Sequence, residues 1–234
     1  MENNFNDNLK RLLNEINVDI TEKQILKFYE YMNLLLEWNE KINLTAITEQ
    51  NEIILKHFVD CLTIQKYIEN NNNIVDIGTG AGFPGIPLAI MNNKNKFVLV
   101  DSLNKRINFL NIVIKELNLK NINTVHDRAE IFIRKNNETY DLITCRAVSK
   151  LNIISELCIP GLKINGYFIP MKANIDEEIK NTKYLQTLGA KIENIITFKL
   201  PKQDINRNLI IIKKIRKTDN NYPRNYDKIL KHPL

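Results

Sequence analysis

Asn73-Ile-Val-Asp-Ile-Gly-Thr-Gly-Ala-Gly-Phe-Pro-Gly-Ile-Pro87 decides how this 234-residue chain reads. Ile74 to Ile77 make a short run, apolar except at Asp76, the pattern of a buried strand carrying a carboxylate near its end. Gly78, Gly80, Gly82 and Gly85 follow, four of the chain's 7 glycines. Glycines this dense let a backbone turn tightly and approach a ligand closely. Pro84 stands where a helix should begin, a place at which its missing N–H costs nothing. Strand, glycine turn and helix are the first βα unit of a doubly wound, nucleotide-type α/β fold.

Two registers compete for this turn. Gly80-x-Gly82-x-x-Gly85 matches the dinucleotide fingerprint. Asp76-x-Gly78-x-Gly80-x-Gly82 matches the first motif of S-adenosylmethionine (SAM) methyltransferases. A dinucleotide needs its first glycine at the strand end and free helix N–H groups aimed at a pyrophosphate. Here the glycine at the strand end is Gly78, and Pro84 and Pro87 remove donors from the helix start. SAM has no phosphate; its sulfonium and ammonium suit a carboxylate such as Asp76, directly or through water. The second register is preferred.

Downstream, apolar runs alternate with helical patterns. Strands are expected at Lys96–Asp101, Ile122–His126, Thr139–Cys145 and Gly166–Lys172, with an antiparallel hairpin, 191–200 and 206–215, closing the sheet. Pro170 argues for a strand terminus or bulge. A helix is expected over 175–188, closed by Gly189. The fold class is therefore α/β: a class I SAM-methyltransferase, Rossmann-like doubly wound sheet of seven strands, the last antiparallel. Upstream, residues 5–17 form a short helix, and Thr21-x-x-Gln24 is a capping box. It opens a helix whose apolar face is Ile25, Phe28, Tyr29, Met32, Leu35 and Leu36. A third helix runs over 51–68. The asparagine run 70–73 marks a linker. The expected division is an N-terminal helical subdomain (1–69), a SAM-binding domain (70–217) and a basic C-terminal tail (218–234).

The chain is 44% hydrophobic, with formal net charge +6 and pI about 9.1. That suits a polyanionic partner without proving one. Cys61, Cys145 and Cys158 are odd in number and widely spaced, so neither a disulfide framework nor a metal site is indicated. No signal peptide or membrane-length apolar run is seen, and a cytoplasmic location is expected.

Five places carry candidate chemistry. Asp101, about 20 residues past the glycine turn at the second strand's end, suits ribose hydroxyls, because a carboxylate accepts from two adjacent O–H groups; a helix cap is the plainer reading. Lys105 and Arg106 oppose the dipole of the next helix, which hints at a phosphate partner, although a solvated basic turn is equally consistent. Arg146 and Lys172 sit at the carboxyl rim, where cofactor and substrate meet; Arg146 could equally pair Asp127 or Glu130. His57 and Asp60, at i and i+3, read better as a structural histidine held by its carboxylate than as an active-site pair. The tail carries seven basic residues from Lys213 onward, either an extended phosphate-contacting arm or a solvated end.

Asn43-Leu-Thr45, His57-x-x-Asp60, the glycine motif with its Phe-Pro-Gly-Ile-Pro87 extension, Asp101-Ser-Leu-x-Lys-Arg106, Arg128-Ala-Glu130, Arg146-Ala147 and Tyr222-Pro-Arg224 together resemble one family, the bacterial 16S rRNA guanine-N7 methyltransferases known as RsmG or GidB. The resemblance runs in order from about residue 20 to the end. It implies SAM at Gly78, Gly80 and Phe83, with Asp101 near the ribose, Ala129-Glu130 beside the adenine and Arg146 at the site. It implies a guanosine in the decoding-region loop of small-subunit rRNA as substrate. The last ten residues depart from related tails in lacking a Gly-Thr-Pro-like stretch, and Cys61 replaces a frequent serine. Guanine N7 is an exposed lone pair and needs no general base, so catalysis is expected to be positioning. Arg146 and Lys172 would donate to guanine O6, with Glu130 or Asp127 balancing charge. Lys105, Arg106, Arg128 and Arg224 would hold RNA phosphates, which position without reading sequence. The partner is then 16S rRNA or the small subunit, bound by a monomer. The alternatives are a SAM methyltransferase with a non-RNA substrate, an NAD-dependent oxidoreductase, and a non-catalytic RNA-binding module.

Overall fold

The computed structural model describes residues 2–204 and 206–234. In order the elements are α1 (Glu2–Glu15), α2 (Glu22–Ile42), α3 (Gln50–Ile53), a π-helical turn (Ile54–Val59), α4 (Asp60–Leu62), β1 (Asn73–Ile77), α5 (Gly85–Met91), β2 (Lys96–Asp101), α6 (Asn104–Glu116), β3 (Ile122–His126), α7 (Ala129–Lys135), β4 (Tyr140–Arg146), α8 (Leu151–Cys158), β5 (Leu162–Lys172), α9 (Tyr184–Thr187), β6 (Ala190–Lys199), β7 (Asn206–Lys214) and α10 (Tyr226–Lys231). The seven strands lie in the order β3-β2-β1-β4-β5-β7-β6. All neighbours are parallel except β7, which runs antiparallel to both β5 and β6.

The strands' apolar residues alternate between two cores, as a period of two requires. Ile74, Leu99, Leu142, Leu209 and Ile211 face one layer, built by α1, α2, the π-helical turn, α5 and α6. Val75, Val100, Ile143, Ile210 and Ile212 face the other, built by α7 to α10. The N-terminal helices thus share one continuous core with the sheet. The α2 capping box is formed on both sides, and Asn43 ends the helix at φ 49°. Its buried face holds Tyr31 rather than Tyr29. The Tyr31 hydroxyl donates to the Ala81 carbonyl at 2.5 Å, so an N-terminal helix holds the glycine turn directly.

Four expectations are corrected. The helix expected over 51–68 is broken by a π-helical turn, of the kind common at functional sites. Residues 175–183 are turns, not helix: Asn174 and Asn181 accept nearby backbone N–H groups and so compete with helical bonding. Pro170 lies inside β5, paired to Cys145, and the pairing to β7 skips Ile169 and Pro170. The tail is not extended; it folds back through α10, burying Ile229. No described helix is long and apolar enough to cross a membrane.

Candidate active site

At the carboxyl ends of β1, β2 and β4, a cavity of about 530 Å³ opens between the two layers, within the range of about 300–1,000 Å³ usual for small-molecule sites. Gly78, Asp101, Arg106, Arg128, Ala129 and Glu130 are on its wall, as are Val100, Ser102, Ala147, Val148, Leu157 and Tyr226. Asp101 is buried at its edge. Oδ1 accepts from Leu103 N at 2.9 Å; Oδ2 accepts from Gly80 N at 2.9 Å and from Arg106 Nη1 at 3.2 Å. A carboxylate has about four acceptor sites, so one is left over, and the long, half-exposed arginine contact is the readiest to yield a second. Gly80 takes φ +63° over open space, whereas a Cβ on Gly78 would come 2.9 Å from Val148.

The start of α5 settles which ligand chemistry the turn admits. Gly85 N donates to Asp76 Oδ2 at 2.9 Å, Ile86 N to Gly82 O at 2.8 Å, and Leu88 N to Pro84 O at 3.2 Å. Pro87 has no N–H. No donor of the first turn remains for a pyrophosphate. A Cβ on Gly85 would meet Leu99 at 2.1 Å, so this glycine serves helix–strand packing. The wall instead joins three carboxylates, Asp101, Asp127 and Glu130, to apolar surface at Val100, Ala129 and Leu157, which fits a nucleoside carrying positive charge such as SAM.

Asp76 is not on this wall, which corrects its expected contact with SAM. It is fully buried, takes Thr79 Oγ1 at 2.7 Å as well as Gly85 N, and so ties the turn to α5. Burial raises its pKa to about 6. Gly80, Phe83 and Arg146 also lie off the wall. The Phe83 ring turns inward and stacks on His57, centroids 4.4 Å apart.

Arg146 ends β4 beneath the π-helical turn. Nη1 donates to Lys56 O (2.9 Å) and Asp60 Oδ2 (3.3 Å); Nη2 donates to His57 Nδ1 (3.1 Å). Its guanidinium lies 4.9 Å from the Phe83 ring centre. Arg207 Nε holds the other Asp60 oxygen at 3.1 Å. Thus Arg146 pairs neither Asp127, which is held by Lys135, nor Glu130, which is held by Arg128. Equally, Asp60 does not hold His57; the i, i+3 spacing brings both to Arg146. Sequence reasoning missed Arg207 because it is 147 residues from Asp60. It also missed Tyr226 and Val148, which no motif marks. Lys172 is committed to Glu178 (2.8 Å) and Ser149 O (2.6 Å), off the cavity wall. Arg224 is half-buried and committed to the fully buried Glu156 at 2.6 Å, so the structure does not leave it free for phosphate.

The Arg146 contact fixes the imidazole. A guanidinium only donates, so Nδ1 is the acceptor and Nε2–H donates to Thr45 Oγ1 at 2.9 Å. Burial, then the Arg146 charge, drives the His57 pKa down to about 3. A base whose folded pKa lies below its unfolded value of 6.5 leaves stability untouched above that pH and costs stability as pH falls toward 3. From pH 7 to 5 the cost is about 2 kcal/mol. Asp76, an acid raised to about 6, works in the opposite sense, gaining stability as it protonates. The wild-type profile is therefore shallow. Urea unfolding should show the wild type losing about 2 kcal/mol relative to His57→Gln between pH 7 and 5; a constant difference would refute the buried neutral imidazole.

A parallel sheet closed by one antiparallel strand, with a nucleoside-sized cavity at its carboxyl rim, is the architecture expected of a SAM-dependent methyltransferase. M. jannaschii TYW2, solved in complex with AdoMet, shares the fold at TM-score 0.52 and 18% identity, over 67% of this chain and 77% of that one. Residues 24–210 match the GidB family model, rRNA small subunit methyltransferase G. Proteins named ribosomal RNA small subunit methyltransferase G are 48% identical in Clostridium botulinum (strain 657 / Type Ba4), over 97% of both chains, and in Desulforamulus reducens, over 99% of both. The chain belongs to the GidB family and is a SAM-dependent rRNA methyltransferase.

Proposed function

We propose that the chain methylates N7 of a guanosine in the decoding-region loop of 16S rRNA, acting as a monomer in the cytoplasm on rRNA or the small subunit. The observation that carries this is the cavity itself: a nucleoside-sized site beside a glycine turn whose helix has no N–H to spare for a pyrophosphate, with Arg106 and Arg128 at its rim for RNA phosphate. Bound SAM supplies an electrophilic methyl on a positively charged sulfur. Asp101 accepts from the ribose hydroxyls, with Arg106 giving way; Gly78 lets the backbone lie close; Ala129 and Glu130 flank the adenine.

Guanine N7 attacks through a lone pair that holds no proton, so no side chain need act as base. The neutral His57, locked between Arg146 and Thr45, is accordingly a strut. Arg146 has five N–H donors and uses three; the others can meet guanine O6. Its charge opposes a cationic product, and Asp60, shared with Arg207, offsets that charge. Lys172 stands farther round the rim, its charge balanced by Glu178.

Two measurements test this reading. Cleavage mapping of 7-methylguanosine in rRNA from a deletion strain should show one decoding-loop guanosine unmodified; a full complement of the mark sinks the assignment. The exposed Lys105 and its neighbour Arg106 should hold phosphate, so Lys105→Ala/Arg106→Ala should weaken RNA binding and lower the log–log salt slope by about 1.5. An unchanged slope assigns both to solvent.

A further inference from the structure

Beyond β7 the chain folds back onto the layer that carries α7 and α8. Arg224 closes on the fully buried Glu156 of α8 with its backbone N–H (3.0 Å), Nε (2.7 Å) and Nη2 (2.6 Å). Arg134 of α7 donates from Nε to Pro223 O at 2.8 Å and from Nη1 to Asn225 Oδ1 at 3.0 Å. On the far side, Ile229 is buried in the core. Tyr226 lies between these anchors, on the cavity wall. The same two helices supply Ala129 and Leu157 to that wall. The Arg128 guanidinium lies 5.3 Å from the centre of the tyrosine ring.

Resting on the reading that this cavity holds SAM, we propose that Tyr226 is a cofactor-binding residue: the tail's aromatic ring walls the purine end of the nucleoside, beside Ala129. A purine presents a flat π-face, and a planar side chain with few rotamers meets it at low ordering cost. The latch residues explain why a segment outside the sheet and its crossovers can serve. Arg224 and Arg134 seat the chain just before Tyr226, and Ile229 seats it just after, so the ring is held from both ends. The positive charge of Arg224 is thereby committed to Glu156, so its contribution is to cofactor affinity, not to RNA.

The test is calorimetric titration of the full chain with S-adenosylhomocysteine, comparing wild type, Tyr226→Ala, Tyr226→Phe and, as a site control, Asp101→Asn. Tyr226→Ala should bind about tenfold more weakly and Tyr226→Phe within about twofold of wild type. In steady state, Tyr226→Ala should raise KM for SAM while leaving kcat and the salt slope of RNA binding unchanged, a split that a general loss of fold would not give. Unchanged affinity in Tyr226→Ala with weakened Asp101→Asn overturns the role of Tyr226 alone. Unchanged affinity in both overturns the placement of SAM in this cavity, and the tail's role with it. A loss in Tyr226→Phe equal to that in Tyr226→Ala, or a changed RNA salt slope, also overturns the proposal.

Discussion

The Arg146→Met variant is expected to lose at least about a hundredfold in kcat/KM, the usual effect of removing one donor aimed at a reacting group's polar atom. It should also lose about 3 kcal/mol of stability, because Asp60 keeps a buried charge with only Arg207 opposite. Burial already pushes the Asp60 carboxyl up against the pull of both arginines, so removing one leaves the carboxylate poorly compensated. Arg146→Lys should rescue little, since one ammonium cannot replace a fork that reaches Lys56, Asp60 and His57 together. The informative measurement is single-turnover methylation normalised to folded protein, alongside urea unfolding. Activity per folded molecule equal to wild type would make Arg146 scaffold only.

Arg224→Met should cost about 3 kcal/mol, the lower end of what breaking a buried ion pair costs, and leave the salt dependence of RNA binding alone. The reason is Glu156: fully buried, it receives three bonds from Arg224 and is stranded without them. Urea midpoints and salt titration decide. A variant that unfolds like wild type but binds RNA with a shallower slope would return Arg224 to the role of a phosphate contact.

The two outcomes mark where sequence reasoning succeeds and where it stops. β1, the glycine turn, α5 and β2 were legible because their signals are local: apolar runs of strand length, clustered glycines and an acidic residue at the second strand's end. Seven strands followed from the same periodicity, and the short Pro201 loop marked the last two as an antiparallel hairpin. Asp101, Gly78, Ala129 and Glu130 do share one cavity wall. Arg224 could not be read because its partner lies 68 residues away, and an arginine in a basic stretch carries no mark of being paired with a buried carboxylate. Asp76 was misplaced for a related cause. A carboxylate at a strand end suits a ligand cation or a helix N-terminus equally well, and only the direction of Gly85 N decides between them. Tyr29 and Tyr31 are two residues apart on the helix, and the choice depended on what lay opposite. The π-helical turn has no periodicity of its own, yet it is what turns both His57 and Asp60 toward Arg146.

Strand β7 lies between β5 and β6 but follows both in the chain. During synthesis β6 therefore has no strand to pair with, and β5 keeps one edge open, until β7 is made. Only then can the segment bearing Tyr226 reach its seat. The stretch of cavity wall that Tyr226 supplies is thus put in place only after the sheet's last gap is filled.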